Sequence, residues 1–171
     1  MTIKSISSDE FNPYFSRYIE LNDPEATIGQ ALESSLIQSV AFIESIDKPL
    51  DYRYAPEKWS IGQVILHNID TERVFAYRAL RFMRGDQTDL AGFDQDVFIE
   101  GCGDYAFAKA ELIQSLTATR EATMALYNNM PDEFLTRTGT ANGNLMSVRV
   151  IPFLAVGHHK HHENVIKERY L

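Results

Sequence analysis

The chain has 171 residues, of which 44% are hydrophobic and 23% charged, so it is long enough to bury a core without disulfides. Its formal net charge of −8, with no basic stripe, argues against nucleic acid and against anionic membrane surfaces as partners. A single cysteine, no signal-peptide pattern and no apolar run of about 18 residues predict one cytoplasmic domain over residues 1–171, with no membrane span.

Hydrophobic periodicity predicts five helices along the chain. They cover about residues 9–20, 24–46, 61–83, 105–128 and 147–169. The first is a short opener that contains Pro13, which a helix tolerates only near its start. The four long helices and their crossover connections predict an all-α fold, a four-helix bundle with the short N-terminal helix packed outside it.

Two loops interrupt the helical pattern. The segment "GDQTDLAGFDQDVFIEGCGD" is a long loop rich in Gly and Asp, and loops of this length often border a binding site. The segment "TRTGTANGNLM" has the turn residues of a hairpin. Arg73, Arg78 and Arg81, on the third predicted helix, are expected to pair with acidic loop residues such as Asp94 and Asp96.

Four of the five histidines fall within "GHHKHH", near the end of the last predicted helix. His158 and His162 are one turn apart and about 40° apart around the helix, so two imidazoles can meet at one metal ion. They continue the apolar stripe of this helix, whereas His159 falls on its polar flank and is predicted to be solvated. His161 is intermediate. On spacing alone, a metal pair and satisfied core histidines both remain open.

The remaining histidine, His67, lies two turns into the third helix. Ser60 and Gln63 form a capping box that fixes the start of that helix, and Trp59 can close a hydrophobic staple with Val64. The helix face around His67 is polar, and a more apolar face lies elsewhere. Periodicity therefore favours a surface position for His67, while the alternative is a polar line that faces an internal site.

Three segments together resemble one known family. They are "KWSIGQVILHNIDTERVFAYRALRFMRGD", "LAGFDQD" and "GHHKHHENVIKERYL". The chain resembles the DinB/YfiT-like family of metal-dependent enzymes, in its DinB_2-type branch. The resemblance implies a bundle in up-down-down-up order, often a homodimer, and a divalent metal held by His67, His158 and His162. At His159 the chain departs from the family pattern, where an acidic residue is expected.

The ligand set that the resemblance implies is typical of catalytic metal sites, because three histidines leave a coordination position open. Zinc is the default ion, and nickel or another first-row ion also suits imidazole. Asp70 follows His67 by one turn and is the catalytic candidate, either as a hydrogen-bond partner of a ligand histidine or as a general base. The alternative for Asp70 is a solvated helix carboxylate.

These features lead to a functional hypothesis with two alternatives. The leading hypothesis is a divalent-metal-dependent enzyme that acts on a small molecule by hydrolysis or by transfer of a low-molecular-weight thiol. Hydrolase is the family's customary description, and relatives that use bacillithiol or mycothiol support the thiol version. The first alternative is a non-catalytic module that binds a metal or small ligand, in a stress-associated role. The second is a bundle whose histidines serve stability.

Overall fold

The computed structural model describes residues 1–103, 108–128 and 130–171, and most of this part of the chain is helical. The α-helices are α1 (Ser16–Ile19), α2 (Ile28–Ser45), α3 (Ile61–Met83), α4 (Gln95–Glu100), α5 (Lys109–Tyr127), α6 (Asp132–Leu135) and α7 (Ile151–Arg169). The strands β1 (Thr138–Ala141) and β2 (Asn144–Ser147) form a small antiparallel sheet. Among the described residues, no helix is both long and apolar enough to cross a membrane.

The N-terminal segment differs from its prediction. In place of a helix over residues 9–20, it forms short 3-10 turns that end in the single turn of α1. Pro13 begins one of these turns, and the side chain of Asn12 accepts a hydrogen bond from the Tyr14 amide at 2.9 Å. Local side-chain caps of this kind compete with helix formation, which explains why the periodic apolar residues do not form one continuous helix.

The four long helices occur where the sequence predicts them, and capping residues set their bounds. Helix α3 begins after the Ser60–Gln63 capping box and ends at Met83, as expected. Helix α2 starts later than residue 24, because Thr27 is its N-cap and forms a capping box with Gln30. Residues 147–150 belong to β2 and a 3-10 turn, so α7 begins at Ile151. The predicted start of α5 at Tyr105 lies outside the described residues.

Two apolar clusters fill the bundle. The first includes Leu32, Phe75, Phe82, Tyr127, Phe153 and Leu154, and the second includes Ile43, Ile61, Ile65, Leu112, Leu116 and Ile166. Helices α2 and α7 begin in the first cluster and end in the second, whereas α3 and α5 run from the second to the first. The order of directions is therefore up-down-down-up, and the predicted four-helix bundle is confirmed.

A layer of buried polar side chains separates the two apolar clusters. We call it the polar layer, and its members are Ser35, Ser39, Thr71, Glu72, Thr119, Arg120, Thr123, His158 and His159. His67 adjoins the layer, one turn of α3 nearer the second cluster. Since all four long helices contribute to the layer or adjoin it, the middle of the bundle brings together chemistry from distant parts of the chain.

The predicted hairpin is present and helps to cover one side of the bundle. Its turn is Asn142–Gly143, and both residues have positive φ, 52° and 68°, as a type I′ turn requires. The long loop pairs with it where Leu90 bridges Ala141, and Phe11 of the N-terminal segment bridges Met146. Within the long loop, the Asp94 side chain caps the short helix α4, which the sequence did not predict.

Candidate metal centre

Helix α3 places His67 inside the bundle. The Ser60 N-cap fixes the entry of the helix, and His67 is only 3% exposed. The indole ring of Trp59, just before the cap, lies 5.0 Å from the imidazole, and Thr71 Oγ1 is 3.5 Å from His67 Nδ1. The polar line on α3 therefore faces an internal site, and the surface position that periodicity favoured is wrong because the centre of this bundle is itself polar.

Helix α7 supplies two further imidazoles on one face. His158 is buried at 6% exposure and His162 is half-buried one turn later. Gly157 lets α1 approach closely, since a Cβ at this position would lie 1.9 Å from the Tyr18 carbonyl oxygen. The ring of Tyr18 consequently packs 5.4 Å from the ring of His158. The close contact between α1 and α7 holds one wall of the site against the histidines.

The three predicted ligands meet at one point. His67, His158 and His162 each offer a ring nitrogen, and these nitrogens lie within 4.8 Å of one another. His67 Nε2 and His158 Nε2 are 3.2 Å apart, and the buried Nδ1 of His158 has no hydrogen-bond partner. Three imidazole nitrogens this close together, with no carboxylate among them, are the donor set of a three-histidine metal site.

Burial keeps these imidazoles neutral. It lowers the pKa of His67 to about 4, with a smaller contribution from the nearby His159. Burial also lowers the pKa of His162 to about 3, followed by repulsion from the surrounding histidines, and it places the pKa of His158 well below its ordinary value. Only a neutral imidazole has a free lone pair for a metal. The donor set therefore fits a divalent metal ion at neutral pH.

His159 corrects the sequence analysis, because it is buried rather than solvated. It is 2% exposed, and its Nε2 lies 3.1 Å from Glu72 Oε2. Helix α7 is covered by α1, α2 and α3, so its polar flank has little contact with water. His161 is half-buried, and the ring of Tyr18 lies 5.5 Å from its own.

Glu72 and Arg120 form a buried ion pair behind the histidines, and sequence reasoning missed it. Arg120 Nε and Nη2 donate to the two carboxylate oxygens of Glu72 at 2.7 and 2.9 Å, and both side chains are 0% exposed. Arg120 Nη1 also donates to the Leu32 carbonyl at 2.9 Å, which joins α2, α3 and α5. The pKa of Glu72 is held below its usual range: burial raises it, but the Arg120 charge and contacts with His159 outweigh burial.

Asp70 lies on α3 beside Arg73, whose Nη1 donates to its carboxylate at 3.1 Å. Arg73 Nη2 also donates to Ser115 Oγ at 2.7 Å, so the pair connects α3 to α5. Burial raises the pKa of Asp70, and Arg73 partly offsets this effect. The structure shows a structural partner for Asp70, and its catalytic role stays a prediction.

The other two arginines of α3 do not pair with Asp94 or Asp96, contrary to expectation. Arg81 forms its ion pair with Asp86, directly after α3. Arg78 donates to the backbone carbonyl of Ala91 at 3.3 Å. Asp94 is engaged in capping α4, which is the local reason that it does not reach across the loop.

A pocket opens onto two of the histidines. Its volume is about 390 Å³. It is lined by His67, Phe75 and other residues of α3, and by His158 of α7. Aromatic residues of the N-terminal segment, such as Tyr18, and residues of the long loop and the hairpin, such as Phe93 and Asn142, complete the lining. A larger cleft of about 560 Å³ lies between α2 and α7 but contains no histidine. The smaller pocket is the candidate site, because a metal site is identified by its ligand nitrogens and not by its volume.

Fold and site together define a class of protein: a helical bundle with a buried three-histidine cluster. The sequence matches the DinB superfamily over residues 38–166, and the chain belongs to this superfamily, as its motifs predicted. None of the curated proteins matches the chain significantly. Among solved structures, the chain is similar to YfiT from Bacillus subtilis with a TM-score of 0.65 and 19% identity, over 96% of this chain and 88% of that one. YfiT is described as a probable metal-dependent hydrolase with an unusual four-helix bundle topology.

Proposed function

We propose that the chain is a divalent-metal-dependent enzyme that acts on a small molecule in the histidine pocket, by hydrolysis or by transfer of a low-molecular-weight thiol. The observation that carries the proposal is the meeting of three neutral ring nitrogens, from His67, His158 and His162, within 4.8 Å. The description of YfiT as a probable metal-dependent hydrolase supports the hydrolysis version of the proposal.

A bound divalent ion would supply a Lewis acid at this point of the pocket. The chain's own contribution is to hold three imidazoles in place with no carboxylate among them, so the full positive charge of the ion stays available to the substrate. Zinc is the first choice for three histidines, and nickel is the second. The Thr71 hydroxyl, 3.5 Å from His67 Nδ1, is placed to orient that ring.

The test of metal binding is elemental analysis of untagged protein after loading with zinc or nickel and removal of excess ion. We expect about one ion per chain, and a large loss of bound metal in His67→Ala and in His158→Ala. His161→Ala is the matched control, because this histidine lies on the same helix but outside the three-histidine group. Substoichiometric metal that none of these substitutions changes would end the proposal.

Trp59 gives an independent readout of the same site. It is the only tryptophan of the chain, and its ring lies 5.0 Å from that of His67. Binding of paramagnetic nickel at this distance should quench its fluorescence, and His67→Ala should remove most of the quenching. Equal quenching in the wild type and in His67→Ala would place the nickel elsewhere.

The alternative function is a binding module without turnover, and one observation favours it. No Asp or Glu is among the described residues that line the pocket, and Asp70 is engaged with Arg73. Esters, amides and thiol–electrophile pairs should therefore be screened with the metal-loaded protein. Turnover that a chelator abolishes excludes the passive module, whereas stoichiometric metal without turnover across the three substrate classes supports it. The expected homodimer is a further proposal, which light scattering in solution tests.

A further inference from the structure

Arg78 is a buried cation with no carboxylate partner in the described part of the chain. The residue is 6% exposed, its Nη2 donates to the Ala91 carbonyl at 3.3 Å, and its buried Nε has no hydrogen-bond partner. Arg120, the other buried arginine, has both carboxylate oxygens of Glu72 at hydrogen-bond distance. A buried guanidinium without a counter-ion is costly, because it has lost water and gained little in return.

The pocket around Arg78 is positive in an otherwise acidic protein. The chain has a net charge of −8, yet no Asp, Glu or Lys is among the described lining residues, and Arg78 is the one arginine there. The other polar groups that line the pocket are neutral amides, hydroxyls and imidazoles, which can all donate hydrogen bonds to an anion. The pocket as a whole is therefore electrostatically matched to a negatively charged group.

Helix α3 places Arg78 and the histidine cluster at two ends of one pocket. His67, Thr71, Phe75 and Arg78 follow one another at spacings of four, four and three residues, so they share one face of α3, and all line the pocket. Eleven residues of helix separate the Cα atoms of His67 and Arg78 by about 16 Å. Both side chains lean toward the helix N-terminus, but the longer Arg78 side chain reaches further, with its guanidinium carbon 5.8 Å from the centre of the Phe75 ring, so the gap between the two functional groups is shorter. The apolar Phe75 lies between them.

We propose that Arg78 binds the carboxylate of a substrate whose reactive atom lies at the histidine cluster. The substrate class is a small organic acid in which an apolar or aromatic segment, in contact with Phe75, separates the carboxylate from the reactive group. A carboxylate fits a single guanidinium better than a phosphate does, because a phosphate dianion would leave charge uncompensated here. The carboxylate site rests on residues of the pocket alone, and only the position of the reacting end depends on the proposed function.

The experiment uses metal-free, chelator-treated protein and two probes with the same carbon skeleton, 4-phenylbutyrate and 4-phenylbutan-1-ol. Their affinities are measured by isothermal titration calorimetry for the wild type, Arg78→Met and Arg78→Lys. Arg84→Met is the matched control, since it removes the same charge from an exposed position at the end of α3. Metal content is determined separately, so failure of the metal site and failure of the carboxylate site give different results.

We expect the wild type and Arg84→Met to prefer the acid over the alcohol by about tenfold to hundredfold, the range of a hydrogen-bonded charge pair away from water. Arg78→Met should reduce this ratio to about one, and Arg78→Lys should keep part of it. A purely structural role through Ala91 would lower the melting temperature of Arg78→Met without changing the ratio. The proposal would be overturned if the wild type bound the acid and the alcohol with equal affinity, or if it did not bind the acid in the millimolar range. It would also be overturned if Arg78→Met kept the preference for the acid.

Discussion

The buried Glu72–Arg120 pair gives a sharp prediction about stability. Both side chains are fully buried, and two hydrogen bonds of 2.7 and 2.9 Å join them. Removal of one partner from such a pair typically costs about 3–5 kcal/mol, because the other charge stays buried without compensation. A domain of this size is stable by about 5–15 kcal/mol. We therefore expect Arg120→Met and Glu72→Gln to lower the free energy of unfolding at pH 7 by about 3–5 kcal/mol each.

The two variants should respond to pH in different ways. In Arg120→Met the pKa of Glu72 should rise above its unfolded value, since desolvation remains and the attraction of the guanidinium is lost. Its folded state then takes up a proton on Glu72 as the pH falls from 7 to 5. The difference in the free energy of unfolding between Arg120→Met and the wild type should therefore shrink by up to about 1.4 kcal/mol for each pH unit by which the pH is lowered. In Glu72→Gln the guanidinium of Arg120 cannot lose its proton, so the deficit should stay constant.

Urea unfolding followed by circular dichroism at pH 5 and 7 measures these differences. A chelator in all samples removes any contribution from bound metal. Arg84→Met, at an exposed site, should change the unfolding free energy by less than about 0.5 kcal/mol. The double variant that combines Arg120→Met with Glu72→Gln should lose clearly less free energy of unfolding than the two single variants lose in sum. A loss below about 1 kcal/mol in Arg120→Met, or the same pH dependence in both variants, would refute this account of the pair.

Two further predictions concern the histidines and α1. The folded-state pKa values of His67 and His162, about 4 and 3, lie below the unfolded value of about 6.5. In metal-free protein, the contribution of these neutral histidines to the free energy of unfolding should therefore be complete above pH 6.5. As the pH drops from 6.5 toward 4, the free energy of unfolding should fall by about 1.4 kcal/mol per pH unit for each histidine. A free energy of unfolding in urea that does not change between pH 7 and 5 would contradict this prediction. Gly157→Ala should lower the unfolding free energy by about 1–2 kcal/mol, because the new Cβ overlaps the Tyr18 carbonyl. Gly29→Ala, whose Cβ meets nothing within 4 Å, should stabilise the protein, and equal melting temperatures for the two variants would be inconsistent with the overlap.

Helix α3 shows how much of the fold local sequence determines. Its start follows from the Ser60–Gln63 capping box, and its end precedes Gly85, which has a positive φ of 81°. Both signals are local, so the predicted bounds agree with the structure. The prediction of one helix over residues 9–20 was wrong because it left out local signals of the same kind: caps at Ser7 and Asn12 favour short turns over a continuous helix.

The candidate site depends on tertiary packing, which periodicity does not describe. A polar helix face normally points to water, and this rule misassigned both His67 and His159, which are 3% and 2% exposed. Glu72 and Arg120 gave no local signal at all, since each is a common helix-surface residue and they are 48 positions apart. The resemblance to a family placed His67 with the α7 histidines where the pattern of the sequence could not.

The polar layer connects the stability of the bundle to the chemistry of its site. Burial of neutral imidazoles with an unpaired Nδ1 on His158 is unfavourable. The surrounding structure holds the rings in place: α1 packs on Gly157, Thr71 lies beside His67, and the Glu72–Arg120 pair ties three helices together directly behind His159. A cation that binds here would meet ligands already in place, so part of its binding free energy would appear as added stability of the fold. The same arrangement explains why the histidines lie between two apolar clusters: the clusters fix the four helices, and the helices fix the rings.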